Sequence, residues 1–191
     1  LMLHAAAECQ KLGGAVAYLD VEHCLDTSYS EKLGVNVDDL FLSQPNSGEE
    51  ALAIAEELVK SNGFDLIVLD SVAALIPQKE VDAEMGASQM GSQARLLAQG
   101  MRKLVPLVGA SNCAFLLVNQ LRSKIGVMWG PTEQSVGGHA VRYAATVRVE
   151  VTKSKPIKDG DLVIGNVTRV KTIKNKMAPP FRVAEYNLIY G

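Results

Sequence analysis

Four short apolar runs stand along the first part of the chain, separated by segments whose apolar positions recur at helical spacing. Ala15-Val16-Ala17-Tyr18-Leu19-Asp20 and Asp65-Leu66-Ile67-Val68-Leu69-Asp70 are continuous apolar runs that end in an acid, which predicts buried strands. Leu40-Phe41-Leu42-Ser43 and Cys113-Ala114-Phe115-Leu116-Leu117-Val118-Asn119 predict two more strands, the latter also buried. Leu1 to Lys11 is rich in helix formers and stops at Gly13-Gly14. A short helix is expected over 27–33, ending at Gly34. Ser47-Gly48-Glu49-Glu50 has the form of a capping box, and Ala51, Leu52, Ile54, Ala55, Leu58 and Val59 behind it make one apolar stripe. A further helix is expected from Gln93 to about Leu107.

Two stretches break the pattern. Residues 77–92 lack a steady period and contain Pro77, Gly86 and Gly91. Residues 121–138 hold four glycines, Pro131 and Trp129, and predict a long loop of the kind that usually carries function. From about Ala144 the helices cease, and strands are expected over 145–152, 162–173 and 183–189, with a turn at Lys158-Asp159-Gly160-Asp161. Strands alternating with helices, then strands alone, predict an α/β fold with a mostly parallel sheet flanked by helices and antiparallel strands at the C-terminal edge. No repeat or linker interrupts the 191 residues, so a single domain is expected.

Composition narrows the class. With 48% hydrophobic and 21% charged residues the chain is neither disordered nor a disulfide scaffold. No apolar run approaches the ~18–20 residues of a membrane span, so no membrane partner is expected. Cys9, Cys24 and Cys113 form no C-x-x-C, which favours a reducing compartment, and His4, His23 and His139 are too scattered for a zinc site. The net charge of −2 hides an asymmetry: residues 1–84 carry 16 acidic and 4 basic side chains, and residues 85–191 carry 5 acidic and 15 basic ones. No acid lies between Glu84 and Glu133, where Arg95, Arg102, Lys103, Arg122 and Lys124 occur. The pattern reads either as ion pairing of the two halves or as an acidic region beside a polyanion-facing one.

In open α/β sheets ligands bind at the carboxyl ends of the strands. Here those ends carry Asp20, Glu22, Asp70, Ser71, Asn119 and Gln120. An apolar run followed by Asp70-Ser71 has the form of a Walker B segment, whose carboxylate holds Mg²⁺ through water; the plainer reading is an acid that caps the next turn. The matching phosphate cradle, G-x-x-x-x-G-K-[ST], precedes a helix, and this chain contains no Gly-Lys pair; the cradle is expected just upstream of Leu1.

Leu19-Asp20-Val21-Glu22-His23-Cys24-Leu25-Asp26, Ser43-Gln44-Pro45, Asp70-Ser71-Val72-Ala73-Ala74-Leu75, Met101-Arg102-Lys103-Leu104, Asn119-Gln120-Leu121-Arg122, Lys124-Ile125-Gly126-Val127-Met128, Gly137-Gly138, Lys174-Asn175-Lys176, Pro180-Phe181 and Ala184-Glu185-Tyr186 follow one another in the order of a known family. By these motifs the chain resembles the ATPase core of the bacterial RecA recombinases, from just after the P-loop to near the end of that core. The resemblance implies a RecA-like P-loop NTPase core whose P-loop strand, N-terminal docking segment and C-terminal domain lie outside residues 1–191. Because the P-loop strand is central in that fold, its absence is expected to leave two strand edges exposed and the chain alone without hydrolysis.

The resemblance also implies roles. Glu22 orients and activates the attacking water. Gln120 senses the γ-phosphate at the root of the long loop, and Lys174 and Lys176 act in trans on a neighbouring subunit's ATP. Asp26, Tyr29 and Tyr190 contact adenine; Asp70 and Ser71 are the Walker B pair, with Asp70 holding Mg²⁺ through water. Residues 82–91 and 121–138 correspond to two DNA-binding loops. Met90 and Ile125 are wedges between bases, and Arg95, Arg102, Arg122, Lys124, Gly137, Gly138 and His139 contact DNA. Several have a plainer reading: caps for Glu22 and Gln120, packing for Tyr29 and Met90, edge protection for the lysines. Departures from the family pattern are Thr27 for a common proline, Trp129 for a smaller aromatic, Pro131 shifted by one position, His139 for Asn and Tyr143 for Phe.

ATP and Mg²⁺ are thus the implied cofactors. The implied partners are single-stranded DNA, homologous duplex DNA, further copies in a helical filament, and a LexA-type repressor in the DNA-damage (SOS) response. A bacterial cytoplasm, or an organelle of bacterial origin, is the implied location. The alternatives are a non-hydrolysing paralogue that binds DNA or recombinase, and a hexameric motor, against which the Arg122-to-Gly138 pattern speaks.

Overall fold

The computed structural model describes residues 1–84, 91–123 and 133–190. The chain forms two compact units, Leu1–Val141 and Arg142–Gly191. In the first, a four-stranded parallel sheet has the order β2-β1-β3-β4, with β1 at Val16–Asp20, β2 at Leu40–Ser43, β3 at Leu66–Asp70 and β4 at Ala114–Leu117. The two central strands are the two runs that end in acids. Every residue of β1 is buried, as is β3 up to Leu69. Leu19, Ile67 and Leu69 are wholly excluded from water, each worth about 1.5–3 kcal/mol of transfer free energy.

One edge strand departs from the expectation. β4 was expected to be buried, yet Ala114 is exposed and the rest of the strand is half-exposed. β2 likewise exposes Phe41 and Leu42. The physical reason is position: an apolar run reports affinity for a sheet, but only a strand with neighbours on both sides is covered along both edges.

Helix α1 (Met2–Lys11) lays Ala6 and Ala7 against Val16, Tyr18, Leu66 and Val68. Helix α2 (Thr27–Lys32) is capped by Asp26, whose Oδ1 accepts from the Tyr29 N–H at 3.0 Å. Helix α3 (Gly48–Ser61) begins with the predicted box: Ser47 Oγ accepts from Glu50 N at 3.2 Å, and Glu50 Oε2 accepts from Asn46 N at 2.8 Å. It ends on Asn62 in the left-handed conformation. A single 3-10 turn (Val72–Ala74) follows β3, then the short helix α4 (Gln78–Val81). Helix α5 (Ser92–Ala110) runs past the predicted end and includes Pro106. It approaches α3 closely at Gly100, where a Cβ would collide with Leu52.

The stretch 121–138, expected to be loop throughout, has paired ends. β5 (Leu121–Ser123) and β6 (Glu133–Ser135) form an antiparallel ladder with Arg122 opposite Gln134. Helix α6 (Ala140–Ala144) follows. In the second unit β7 (Val147–Asp159), β8 (Leu162–Asn175) and β9 (Val183–Ile189) form an antiparallel sheet in that order. The β7–β8 hairpin turns at Gly160 with φ +59°, where the sequence predicted it. The α/β architecture is as expected, with one difference: the antiparallel strands form a sheet of their own rather than an edge of the parallel one.

Candidate functional site

Parallel pairing brings the ends of β1, β3 and β4 together. Asp20 and Asp70 are register partners, the Val21 N–H donates to Asp70 O at 2.7 Å, and the Val72 N–H donates to Val118 O at 2.8 Å. The chain thus leaves the sheet at three adjacent points, where Glu22, Ser71 and Gln120 meet. Glu22 Oε1 accepts from the Ser71 hydroxyl and from Gln120 Nε2, the latter at 3.2 Å. Glu22 Oε2 has no hydrogen-bond partner among the described residues. The Asp70–Ser71 peptide is cis.

The two acids at the strand ends behave differently. Asp20 is buried, and its Oδ2 accepts from the Leu25 N–H and from Gln44 Nε2, each at 3.0 Å. Burial pushes its carboxyl up, but these bonds and one from the Cys24 N–H outweigh burial and hold it below the ordinary range. Asp20 therefore secures the turn after β1. Asp70 accepts from Tyr18 Oη at 2.7 Å through Oδ2. Burial first, then the nearby Glu22 and Asp20 charges, push Asp70 above its ordinary value against the opposing Tyr18 bond. Burial and Asp70 raise the Tyr18 phenol, so it stays a donor. No group of three or more potential metal ligands occurs among the described residues. The Asp70 carboxylate, its Oδ1 without a hydrogen-bond partner among the described residues, suits Mg²⁺, which keeps most of its waters and takes the rest of its shell from phosphate.

Asn119 ties this corner to the stretch beyond. Its Oδ1 accepts from the Gln120 N–H at 2.8 Å and its Nδ2 donates to Val136 O at 3.0 Å, while the Val136 N–H donates to Gln120 O at 3.3 Å. A cleft of about 830 Å³ opens beside it, lined by Glu22, Ala73, Ala74, Gly91, Ala94, Arg122, Gly137 and Gly138, among others. The sequence-predicted water-activating carboxylate and three of the predicted DNA-contacting residues thus share one wall-to-wall space. Gly137 and Gly138 adopt φ +85° and +74°. Gly137 is buried against α5, where a Cβ would overlap Leu97, so its first requirement is packing.

Other predicted positions are dispersed. Asp26 is engaged as the α2 cap, and the Tyr29 ring stands exposed beside it. Arg95 and Arg102 lie seven residues apart on α5, hence on one helix face, both exposed. Arg95 lines a second cleft, of about 630 Å³, between α3 and α5, with Glu49, Glu56, Lys79 and Lys103. His139 is exposed just before α6. In the second unit, Tyr190 Oη accepts from Asn166 Nδ2 at 3.0 Å. Lys174 Nζ donates to Arg142 O at 2.8 Å and Tyr143 O at 3.0 Å, an internal engagement of α6 that the sequence did not reveal. Burial, then Lys176 and Arg148, push the Lys174 ammonium below its usual value. Lys176 is exposed. Met90, Lys124 and Ile125 lie outside the described residues.

Sequence reasoning missed Tyr18, Gln44 and Gln93. Tyr18 had a signal: a hydroxyl inside an otherwise apolar buried strand must find a partner. Gln44 stood in the Ser43-Gln44-Pro45 motif, but its role was not assigned; Gln93 had no signal, since a glutamine at a helix start is unremarkable until its acceptors are known.

No described helix is long and apolar enough to cross a membrane. The RecA N-terminal domain family matches residues 1–191. The chain is 53% identical over all of its 191 residues to the RecA protein of Chloroherpeton thalassium, covering 54% of that protein. It is equally similar to those of Azospirillum lipoferum, of which it covers 53%, and Geobacter metallireducens, of which it covers 56%. The chain spans about half the length of these curated relatives. With residues 1–191 matched by that family, over a parallel sheet whose strand ends gather Glu22, Asp70, Ser71 and Gln120, the chain belongs to the RecA family.

Proposed function

We propose that this chain is the greater part of the ATPase core of a recombination and DNA-repair protein that binds single-stranded DNA as a filament and hydrolyses ATP between subunits. The observation that carries the reading is the shared Glu22 Oε1: Ser71 holds it from the Walker B side and Gln120 from the root of the β5–β6 hairpin. Two donors on one oxygen fix the carboxylate plane and leave Oε2 to take a hydrogen bond from a water in line with a γ-phosphate. That water's oxygen bonds to phosphorus as the bond to the β-phosphate oxygen breaks, and its proton passes toward Glu22.

Asp70 would hold Mg²⁺ through water, with Tyr18 fixing which oxygen faces outward. When bound, the ion neutralises charge on the phosphates. Gln120 couples this corner to the cleft: a change in its bond to Glu22 reaches Val136 through one backbone bond. Arg122, on the exposed side of that ladder, offers a cation to a nucleic-acid backbone. Asp26, Tyr29 and Tyr190 serve adenine, while Lys174 and Lys176 serve a neighbour's ATP; for the former lysine this requires release from the α6 carbonyls. Strand exchange with homologous duplex DNA, promotion of LexA-type repressor cleavage and a bacterial cytoplasmic location are part of the same proposal, supported only by the likeness to the family.

The test begins with the coding sequence upstream of Leu1, where the proposal requires G-x-x-x-x-G-K-[ST]. ATP hydrolysis by the complete protein, with and without single-stranded DNA, follows. Nucleotide-dependent DNA binding without hydrolysis is the outcome expected of a non-hydrolysing paralogue and overturns the enzyme reading.

A further inference from the structure

The 3-10 turn Val72–Ala74 sits between Ser71, which holds Glu22, and the loop that leads to α4. Its carbonyls point towards α5. Gln93 Nε2 donates to Leu75 O at 2.9 Å, Ala73 O at 3.2 Å and Val72 O at 3.3 Å. A primary amide has two N–H groups, so three carbonyl acceptors share them, and the Leu75 bond is the best formed. Gln93 is the second residue of α5 and follows Gly91, whose φ of +75° sets the turn into the helix. Gly91 and Ala94 line the same cleft as Glu22, Arg122 and Gly138.

Val72 is wholly buried. A Cβ on Gly137 would touch it as well as Leu97, so the first turns of α5 and the base of the second irregular stretch meet at this one residue. Val72 is bonded covalently to Ser71. The Gln93 amide thus gives the first turn of α5 a path to Ser71 that does not pass through Gln120.

We propose that Gln93 is a positioning residue that links occupancy of the cleft to Glu22, by holding the Val72–Leu75 carbonyls and through them the Ser71 hydroxyl. The proposal deepens the ATPase reading and rests on it. A strand of nucleic acid seated on Gly91, Arg122 and Gly138 bears directly on the start of α5. The amide bonds make the 3-10 turn move with that helix end. Ser71 then gains or loses alignment with Glu22 Oε1, and the water-facing oxygen turns with it. The cleft thus reads out to the carboxylate twice, through Gln120 and through Gln93, and each route ends on the same oxygen.

The experiment uses the complete protein and two variants. Gln93→Met preserves side-chain length and removes both donors; Gln93→Ala is the second, compatible with the first turn of α5 because Ala is the best helix former. The readout is the ratio of ATP turnover with and without an oligo-dT strand, together with hydrogen exchange of the 72–76 amides in the same two conditions. The expected result is a fall in the ratio of about fivefold, the scale of a lost hydrogen bond, and loss of the DNA-induced change in exchange. Gln93 also lines the cleft, so the ratio is taken at saturating oligo-dT, where a change in affinity does not move it. A merely structural role lowers thermal stability without moving the ratio. An unchanged ratio in variants of a DNA-stimulated wild type overturns this inference and leaves the ATPase reading standing. A wild type that DNA does not stimulate overturns both. Failure of both variants to fold makes Gln93 part of the scaffold and also overturns the inference.

Discussion

Gln120 Nε2 and Glu22 Oε1 lie 3.2 Å apart although 98 residues separate them in the chain. The bond closes a circuit from the end of β1 to the end of β4, and the Ser71 hydroxyl from β3 completes it on the same oxygen. A carboxylate held in this way is oriented before any substrate arrives. If it positions water, Glu22→Gln in the complete protein should lower ATP turnover by about a hundredfold or more. Nucleotide-dependent DNA binding should persist, because the amide keeps the shape of the site. Filter binding beside a phosphate-release assay separates the two, and undiminished turnover would remove Glu22 from the mechanism.

Arg122 stands exposed on β5 and lines the cleft. Arg122→Ala is expected to weaken single-stranded DNA binding and to flatten the plot of log affinity against log salt by about 0.7, the value for one phosphate contact. Titrations at several salt concentrations give the slope; an unaltered slope means that the guanidinium does not touch phosphate.

Asp20 predicts a pH dependence. Its hydrogen bonds hold the carboxyl below the value of 3.8 expected of a free side chain. The folded state therefore favours the ionised form, and the stability this supplies is complete above about pH 4 and drains away as pH falls through the lowered folded value. Asp20→Ala leaves the Leu25 N–H and the Gln44 amide without their acceptor, and should cost about 1–3 kcal/mol at neutral pH. Urea unfolding at pH 7 and near pH 3 tests this: the gap between the variant and the wild type should shrink at the lower pH.

Gly137 predicts a stability effect with no change of charge. At φ +85° against Leu97, an added methyl group is strained and has no room. Gly137→Ala should destabilise the chain by about 1–3 kcal/mol. Chemical denaturation measures it, and a neutral result would show that α5 can yield there. The same substitution at Gly160, which has open space at its Cβ position, carries only the cost of its φ of +59°.

The cysteines give a check on burial alone. Cys24 is exposed on the turn after β1, while Cys113 is buried and its thiol is pushed up to about 11, chiefly by desolvation. Iodoacetamide at neutral pH should label Cys24 first and Cys113 only after denaturant is added, as intact-mass measurements would resolve. Early labelling of Cys113 would mean that the end of α5 opens readily.

The central strands were legible because Ala15–Leu19 and Leu66–Leu69 are unbroken apolar runs, and water excludes such runs whatever their neighbours. The α3 cap was legible because Ser47 and Glu50 satisfy the helix start with atoms only a few residues away. Order along the chain also allowed the family to be read, since motifs are matched residue by residue. By itself, then, the sequence determined the four parallel strands, the helices α1, α2, α3 and α5 between them, and the polar residues that end the central strands. It could not decide that β4 lies at an edge, that 121–123 pairs with 133–135, or that the antiparallel strands form a separate sheet. Nor could it give Asp20 its part in securing the turn after β1, or attach Gln93 to three carbonyls about 20 residues away. Local patterns record what a residue can bond to nearby; these distinctions depend on partners brought close only by sheet order and register, which many distant residues set together.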